Sequence, residues 1–297
     1  MARDFLFIVN PISGHGAGKG LPRRLSRHPR YAGIHSVVRF TKHAGHAREL
    51  AEQAAAEGFT HVVAVGGDGT VNEVGSALRG TGIIMGIIPL GSGNGLARHL
   101  GYSTRVDSAL TQLLDGTPEW MDIIEINGHS SLNVSGLGFD AATAHLFAGG
   151  GSRGLFAYVR AAVRLWFCYK EREYTFRVGE ETWSERGFIV SLANGSQYGY
   201  NFVIAPGAST RDGLLDLCVL RRPRLVEIPL YLLRVATRRV EKLPHFHRVP
   251  CREVTILDAA PEGHVDGDPC FFTSPVHARV IAAGLRVALP VTPSRTC

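Results

Sequence analysis

The stretch Val62 to Glu73, VVAVGGDGTVNE, decides the fold of this 297-residue chain. Its first four residues are apolar without a break, which suits a strand buried on both faces of a parallel sheet. Gly66 and Gly67 follow at once. A residue without Cβ accepts positive φ and lets backbone N–H groups approach an anion closely. In an open α/β sheet, ligands bind at the carboxyl ends of the strands. The segment Gly66, Gly67, Asp68, Gly69, Thr70, Val71, Asn72, Glu73 therefore reads as a loop that holds phosphates. A carboxylate is unwelcome beside phosphate, so Asp68 implies a magnesium ion or a reacting hydroxyl as its partner. Thr70 and Asn72 add neutral hydrogen-bonding groups.

Working outward, Phe5 to Val9, Ile34 to Phe40 and Ile83 to Ile88 are apolar runs of the same kind. Between them Ala47, Leu50, Ala51 and Ala54 fall at i, i+3, i+4, i+7, and Val106, Ala109, Leu110 and Leu113 repeat that spacing, as amphipathic crossover helices do. The series predicts a doubly wound α/β layer with a parallel sheet. Two more glycine-rich segments follow predicted strands: NPISGHGAGKG from Asn10 and PLGSGNGLARHLG from Pro89. Three such loops at successive strand ends converge on one crevice. Neither familiar nucleotide fingerprint fits: Ser13 stands where a P-loop needs its first glycine, and Gly20 follows Lys19. The glycines at 14, 16, 18 and 20 miss the dinucleotide spacing.

After Pro118 the pattern turns β-rich, with predicted strands at Met121 to Ile126, Ser131 to Ser135, Glu173 to Val178, Phe188 to Ala193 and Leu215 to Leu220. Helical stretches run from Leu155 to Trp166 and from Leu225 to Glu241. Residues 1–120 are thus expected to form an α/β nucleotide-binding domain, to which a tail at 286–297 returns. Residues 121–285 form a β-rich domain, and Gly149, Gly150 and Gly151 read as a flexible connection. Five cysteines, Cys168, Cys218, Cys251, Cys270 and Cys297, are odd in number and lack a C-x-x-C pair, which fits free thiols in a reducing cytoplasm. The run Phe5 to Val9 is shorter than the core of a signal peptide. Glu227 and Arg234 interrupt the most apolar window, so no membrane span is expected. A net charge of +6 suits an anionic partner, but the basic residues are scattered and no nucleic-acid reading motif occurs.

The combination of Asn10, Pro11 and Gly14 after the first strand, Thr41 ahead of Gly45, His46 and Ala47, then GGDGTVNEV and PLGSGNGLARHLG, resembles the diacylglycerol kinase catalytic-domain superfamily of lipid kinases. That superfamily includes bacterial diacylglycerol kinases, YegS-like lipid kinases and sphingosine kinases. The resemblance runs nearly end to end. It implies an ATP site bordered by Asn10, Pro11, Ser13, Gly14, Thr41, Gly66 to Asn72 and Ser92, with Glu73 and Asn94 completing the loops. It also implies magnesium, a C-terminal β-sandwich-like domain, and an active site in the cleft between the domains. HVDGDP, from His264 to Pro269, matches the family's catalytic carboxylate motif. Asp266 is then the base that takes the proton of a lipid hydroxyl, and Asp268 assists it or supplies the same role.

Within GASTRDGLLD the resemblance suggests a metal held by Ser209, Asp212 and Leu214, an oxygen-only set that suits magnesium or calcium. Read without it, Asp212 and Gly213 are a hairpin turn. Gly95 follows Asn94 where many bacterial diacylglycerol kinases have Asp, which removes one carboxylate and leaves the acceptor open between a diacylglycerol-like and a sphingoid lipid. Such a kinase is cytoplasmic and docks peripherally at the inner membrane face. The stretch Arg153 to Lys170 interleaves aromatics with cations, and Phe156, Val159, Val163 and Trp166 share a helical face. A face turned to the core with arginines on its wet side is the favoured reading. The competing functions are an NAD kinase, whose family also carries GGDGT, and an inactive nucleotide-binding relative.

Overall fold

Phe5–Val9 form β1, and every one of the five side chains is buried. The computed structural model describes residues 3–148 and 155–291. The glycine connection expected at Gly149, Gly150 and Gly151, and the Cys297 thiol, lie outside those residues. The chain divides into two compact units, residues 1–121 with 283–297 and residues 122–282.

In the first unit β1 lies between β2 (Ser36–Phe40) and β3 (His61–Gly66), and β4 (Ile84–Pro89) pairs with β3. The end of β16 (Val276–Leu289) adds a fifth strand through Arg286 and Val287, and all these pairings are parallel. β1 and β3 are buried along their full length, as their unbroken apolar runs require. β2 departs from the expectation for its run. It has only β1 as a neighbour, so its residues are no more than half-buried.

The helices of this unit are α1 (Leu21–Arg27), α2 (His46–Ala56), α3 (Asp68–Leu78), α4 (Gly95–His99) and α5 (Val106–Asp115). In α2 the four residues picked out by spacing are the four that are buried. In α5 Ala109, Leu110 and Leu113 are buried together with Leu114, while Val106 is only half-buried. Each buried aliphatic side chain contributes roughly 1.5–3 kcal/mol, so these faces hold the helices to the sheet. A Cβ on Gly86 of β4 would lie 2.3 Å from Leu113 Cδ2, which shows how closely α5 sits.

The second unit contains most of β5 (Thr117–Ile126), then β6 (His129–Ser131), β7 (Val134–Gly138), α6 (Phe139–Ala148) and α7 (Leu155–Trp166). The hairpin β8 (Arg172–Val178) and β9 (Glu181–Gly187) follows, then β10 (Ile189–Ala193) and β11 (Leu215–Leu220). After α8 (Ile228–Ala236) come β12 (Phe246–Cys251), β13 (Glu253–Ile256), β14 (Glu262–Val265) and β15 (Asp268–Phe271). An antiparallel sheet runs β12–β11–β10–β7–β14–β15. β13 pairs with β8 on one side and with the start of β16 on the other. One core joins the two layers: Leu137, Val190, Leu192, Leu217 and Val219 from the first meet Tyr174, Phe176, Val254, Ile256 and Val276 from the second.

Three local expectations are corrected. The helix read over Leu225 to Glu241 is α8 alone, flanked by single 3-10 turns at Leu225–Glu227 and Val240–Lys242. β9 and β12 to β16 are additional to the strands expected from the sequence. The strand expected over Ser131 to Ser135 is broken, with β6 ending at Ser131 and β7 starting at Val134. The amides of Leu132 and Asn133 in the gap donate to the Asp266 carboxylate instead of to a ladder.

Asp216 of β11 is almost wholly buried and is satisfied by Arg248 of β12, with Nε to Oδ1 at 2.8 Å and a second guanidinium nitrogen to Oδ2 at 2.9 Å. The same guanidinium donates to Pro206 O at 2.8 Å. The bond to Asp216 raises the Arg248 pKa above its ordinary value. Removing one member of a buried pair strands the other charge. Arg248→Met is expected to lose about 3–5 kcal/mol of unfolding free energy in urea titrations, and Asp216→Asn, Arg248→Met less than the sum of its single changes.

Candidate active site

The three glycine loops meet within the first unit, and their contact is backbone on backbone. Leu90 N donates to Gly66 O at 2.7 Å, Asn10 N to Val65 O at 2.9 Å and Thr41 N to Val9 O at 2.9 Å. A Cβ on Gly91 would lie 2.5 Å from Gly67 Cα, so the second and third loops touch where no side chain fits. Gly14 has φ 58° and a Cβ there would lie 3.0 Å from Leu90 O, so the first loop needs glycine for both conformation and closeness. Asn10 closes β1 with its side chain, accepting from Ile12 N at 3.1 Å and donating to Thr70 Oγ1 at 3.4 Å. Pro11 and Ser13 stand on this first turn, and Ser92 is exposed at the tip of the third loop.

The two carboxylates of GGDGTVNE both sit on α3 and act as braces. Asp68 accepts from Asn94 N at 2.8 Å and from Gly95 N at 2.7 Å, which caps the N-terminus of α4. Glu73 accepts from Gly45 N at 2.9 Å and Ala47 N at 3.0 Å, which caps α2 in the same way. Asn94 itself is in the left-handed region with φ 54° and donates to Gly91 O at 2.6 Å. Asn72 is turned along its own helix, where its Oδ1 accepts from Ser76 Oγ at 3.3 Å. α3 begins after Gly67, whose backbone lies against Gly91 of the third loop. The N-terminus of α3 therefore lies where the loops meet, and helix N-termini favour anions. The sequence reading had recognised the carboxylates but not their partners, because a capping bond across 26 residues leaves no local spacing.

In the second unit, Asp266 is at the tip of the β14–β15 hairpin with φ 49°. Its Oδ1 accepts from Ser131 Oγ at 2.8 Å and Asn133 N at 3.0 Å, and its Oδ2 from Leu132 N at 2.8 Å. Ser135 Oγ accepts from Asp266 N at 3.1 Å and donates to Ser131 Oγ at 2.7 Å, which closes a ring around the turn. Asp268, two residues on, is exposed. Beneath the hairpin lies a buried polar group that the sequence reading missed: His264 with Asp140 of α6, whose Nε2 and Oδ2 are 2.9 Å apart. Tyr198 OH donates to the same Oδ2 at 2.6 Å. The only sequence signal was the place of His264 at the head of the HVDGD motif.

Ser209, Asp212 and Leu214 lie in one turn. Ser209 Oγ accepts from Arg211 N at 3.2 Å and Asp212 Oδ1 from Leu214 N at 3.1 Å. Asp122, also missed, fixes this turn by accepting from Gly213 N at 2.8 Å and donating its own N–H to Thr210 O at 2.7 Å. Among the described residues no group of three or more His, Cys, Asp or Glu side chains is arranged to hold a metal. The four described cysteines are free. Burial, with Asp268 adding to it, pushes the Cys270 thiol up to about 11, and burial takes Cys251 up to about 12. Neither is a thiolate nucleophile at neutral pH.

The chain thus has a parallel-sheet unit in which three glycine loops meet at the start of α3, and an antiparallel unit with a carboxylate turn. Residues 4–126 match the family described as diacylglycerol kinase catalytic domain, and residues 133–289 match the YegS C-terminal NAD kinase beta sandwich-like domain. A Pseudomonas aeruginosa protein named as a YegS-like lipid kinase is 33% identical over 98% of this chain and 96% of its own. A Mycobacterium tuberculosis diacylglycerol kinase is 28% identical over 95% of this chain and 94% of its own. In fold, the chain is similar to a crystal structure of a diacylglycerol kinase from Bacillus anthracis, with a TM-score of 0.75 and 19% identity over 98% of each chain. The chain belongs to the YegS-like and diacylglycerol kinase family of lipid kinases.

Asp68→Ala removes both capping acceptors of α4 at once. Loss of a cap costs about 0.5–2 kcal/mol, so the variant is expected to fold with a lower urea midpoint. Amide exchange should quicken at Asn94 and Gly95 and stay unchanged at Gly45 and Ala47, which Glu73 holds.

Proposed function

We propose that this protein transfers the γ-phosphate of ATP to a hydroxyl of a diacylglycerol-like or sphingoid lipid, with magnesium. The observation that carries this reading is the start of α3 at the junction of three glycine loops, with Asp68 and Glu73 bonded to the loops on either side. In the proposed complex the phosphates lie against the amides that follow Gly67, with Asn10, Thr41 and Thr70 at their border. A magnesium ion there would offset the charge of the phosphates. Asp68, fixed in plane by its two amide bonds, is the side chain assigned to organise that ion. The Asp212 carboxylate with the carbonyls of Ser209 and Leu214 is an oxygen-only set of the kind hard cations prefer, and we assign it a magnesium or calcium ion.

Asp266 is assigned the proton of the attacking hydroxyl, and Asp268 assists it. Phosphoryl transfer depends mainly on positioning and electrostatics, so a fixed carboxylate matters more than a strongly basic one. The test is transfer of labelled phosphate from ATP across diacylglycerol, sphingosine, ceramide, phosphatidylglycerol and NAD. Label should appear in a lipid, and Asp266→Asn should lower kcat by about 10²–10⁴-fold. Label in NAD alone would overturn the reading.

The partner surface we assign is a bilayer rich in anionic lipid. α7 turns Ala162, Leu165 and Trp166 into a cluster with Tyr231, Val240 and Leu243, whereas Val163, expected on the inward face with Trp166, is exposed, so the buried face is not the one the spacing picked out. The side chains of Phe156 and Val159 lie outside the described ones. Outside that cluster Phe167 is 72% exposed and Val226 84%, with Val163, Leu225 and Leu233 also exposed. Arg164, Lys170, Arg224, Arg238 and Arg239 are exposed among them. Apolar side chains interleaved with cations suit an anionic interface, where each Lys or Arg contributes about 1 kcal/mol. Phe167→Ser, Val226→Ser should halve, or reduce further, co-sedimentation with phosphatidylglycerol vesicles and leave transfer to detergent-dispersed lipid unchanged. Undiminished co-sedimentation would remove this surface.

A further inference from the structure

His264 occupies an environment that defines its protonation. Only 2% of its side chain is exposed, and its ring is bonded at both nitrogens. Gly267 N, which can only donate, lies 3.2 Å from Nδ1. Nδ1 is therefore the unprotonated acceptor, and the single ring proton is on Nε2, donated to Asp140 Oδ2 at 2.9 Å. Asp140 is held in turn. Its Oδ1 accepts from Ala141 N at 3.0 Å, and its Oδ2 accepts from Tyr198 OH, which lies 2.5 Å from Ser191 Oγ.

This chain of contacts ends at the turn that carries Asp266. His264 lies two residues before Asp266 on β14, next to Val265 of the core, and Gly267 is the residue directly after Asp266. The bond from Gly267 to Nδ1 thus spans the tip and fixes the backbone on the far side of Asp266. Ser135 fixes the near side by accepting from Asp266 N. α6 supplies a second grip on the same hairpin, because His145 Nε2 lies 3.0 Å from Gly263 O and 3.1 Å from Cys270 O. Two carbonyls can only accept, so that nitrogen carries its proton too. The hairpin is held from beneath at its tip by the Asp140–His264 pair and farther back by His145.

We infer that His264 is a positioning residue for Asp266, with Asp140 as the group that sets its tautomer. The inference rests on the reading of Asp266 as the acceptor of the hydroxyl proton. Neither His264 nor Asp140 touches substrate. Their effect is to hold the tip in one conformation through a neutral imidazole that accepts at Nδ1. A displacement of the carboxylate by an ångström is enough to cost on the order of 100-fold in rate.

Two substitutions separate the nitrogens. In His264→Asn the side-chain oxygen takes the place of Nδ1 and accepts from Gly267, while the bond to Asp140 is lost. In His264→Gln the amide nitrogen reaches Asp140, and the acceptor for Gly267 is lost. Both remove the ring, so their losses of thermal stability should be alike. On the lipid that the wild type phosphorylates best, His264→Asn should retain kcat to within about threefold, whereas His264→Gln should lose about 100-fold with KM for ATP changed less than about twofold. Equal losses in the two variants that follow their Tm would make His264 merely structural and overturn the inference, as would unchanged kcat in His264→Gln. Asp266→Asn is measured beside them. Normal kcat in that variant defeats the reading of the base itself, while a dead Asp266→Asn with a normal His264→Gln defeats only the positioning role. A readout free of activity is the long-range proton–nitrogen NMR spectrum of the full chain, in which the resonance lost in His264→Gln should be a neutral Nε2–H imidazole. An Nδ1–H or doubly protonated ring would overturn the inference whatever the kinetics of either variant.

Discussion

Asp68 reaches 26 residues along the chain to accept the amides of Asn94 and Gly95, and the geometry of the first unit depends on that contact. Parallel strands end at one edge of a sheet, but nothing in a sheet fixes the loops that leave it. A carboxylate bonded to two backbone N–H groups does so with both direction and charge. Such bonds are shorter and about twice as strong as neutral ones. Glu73 makes the equivalent contact to the loop before α2. One helix therefore aligns its two neighbours. The two carboxylates of α3 meet the N-termini of α4 and α2, where helix dipoles favour negative charge.

The second unit uses the same physical device for a different purpose. Asp266 takes the amides of Leu132 and Asn133 and so interrupts what would otherwise be one strand. The interruption spends ladder bonds to fix a carboxylate, which a surface turn would not need. The buried Asp140–His264 pair lies beneath the same turn. Buried charge is costly unless every member is bonded, and here each described oxygen of Asp140 has a donor. A turn rich in Asp and Gly is common at surfaces, whereas one gripped by a closed set of side chains is built to hold a position.

Strands β1, β3 and β4, the buried face of α2 and the three glycine loops were all legible in the sequence. Each is set by local pattern: unbroken apolar runs, a 3.6-residue period and glycine at strand ends. β2 was legible as a strand but not as an edge, since edge status depends on which neighbours are absent. The gap at Leu132 and Asn133 was invisible, because its cause is more than 130 residues away in sequence. For the same reason the sequence singled out Asp68, Glu73 and Asp266 as chemically important, yet could not show that each carboxylate is bonded to backbone.

The sequence by itself determined which residues carry charge and which positions must lack a side chain, and through them the family to which the chain belongs. It did so because the spacing of GGDGTVNE, PLGSGNG and HVDGD is a local property that can be read in one dimension. Only the tertiary structure decided what Asp68, Glu73, Asp266 and His264 hold. Hydrogen bonds between segments far apart in the chain have no spacing to reveal them, and the protonation of a buried imidazole depends on which donor folding places against it.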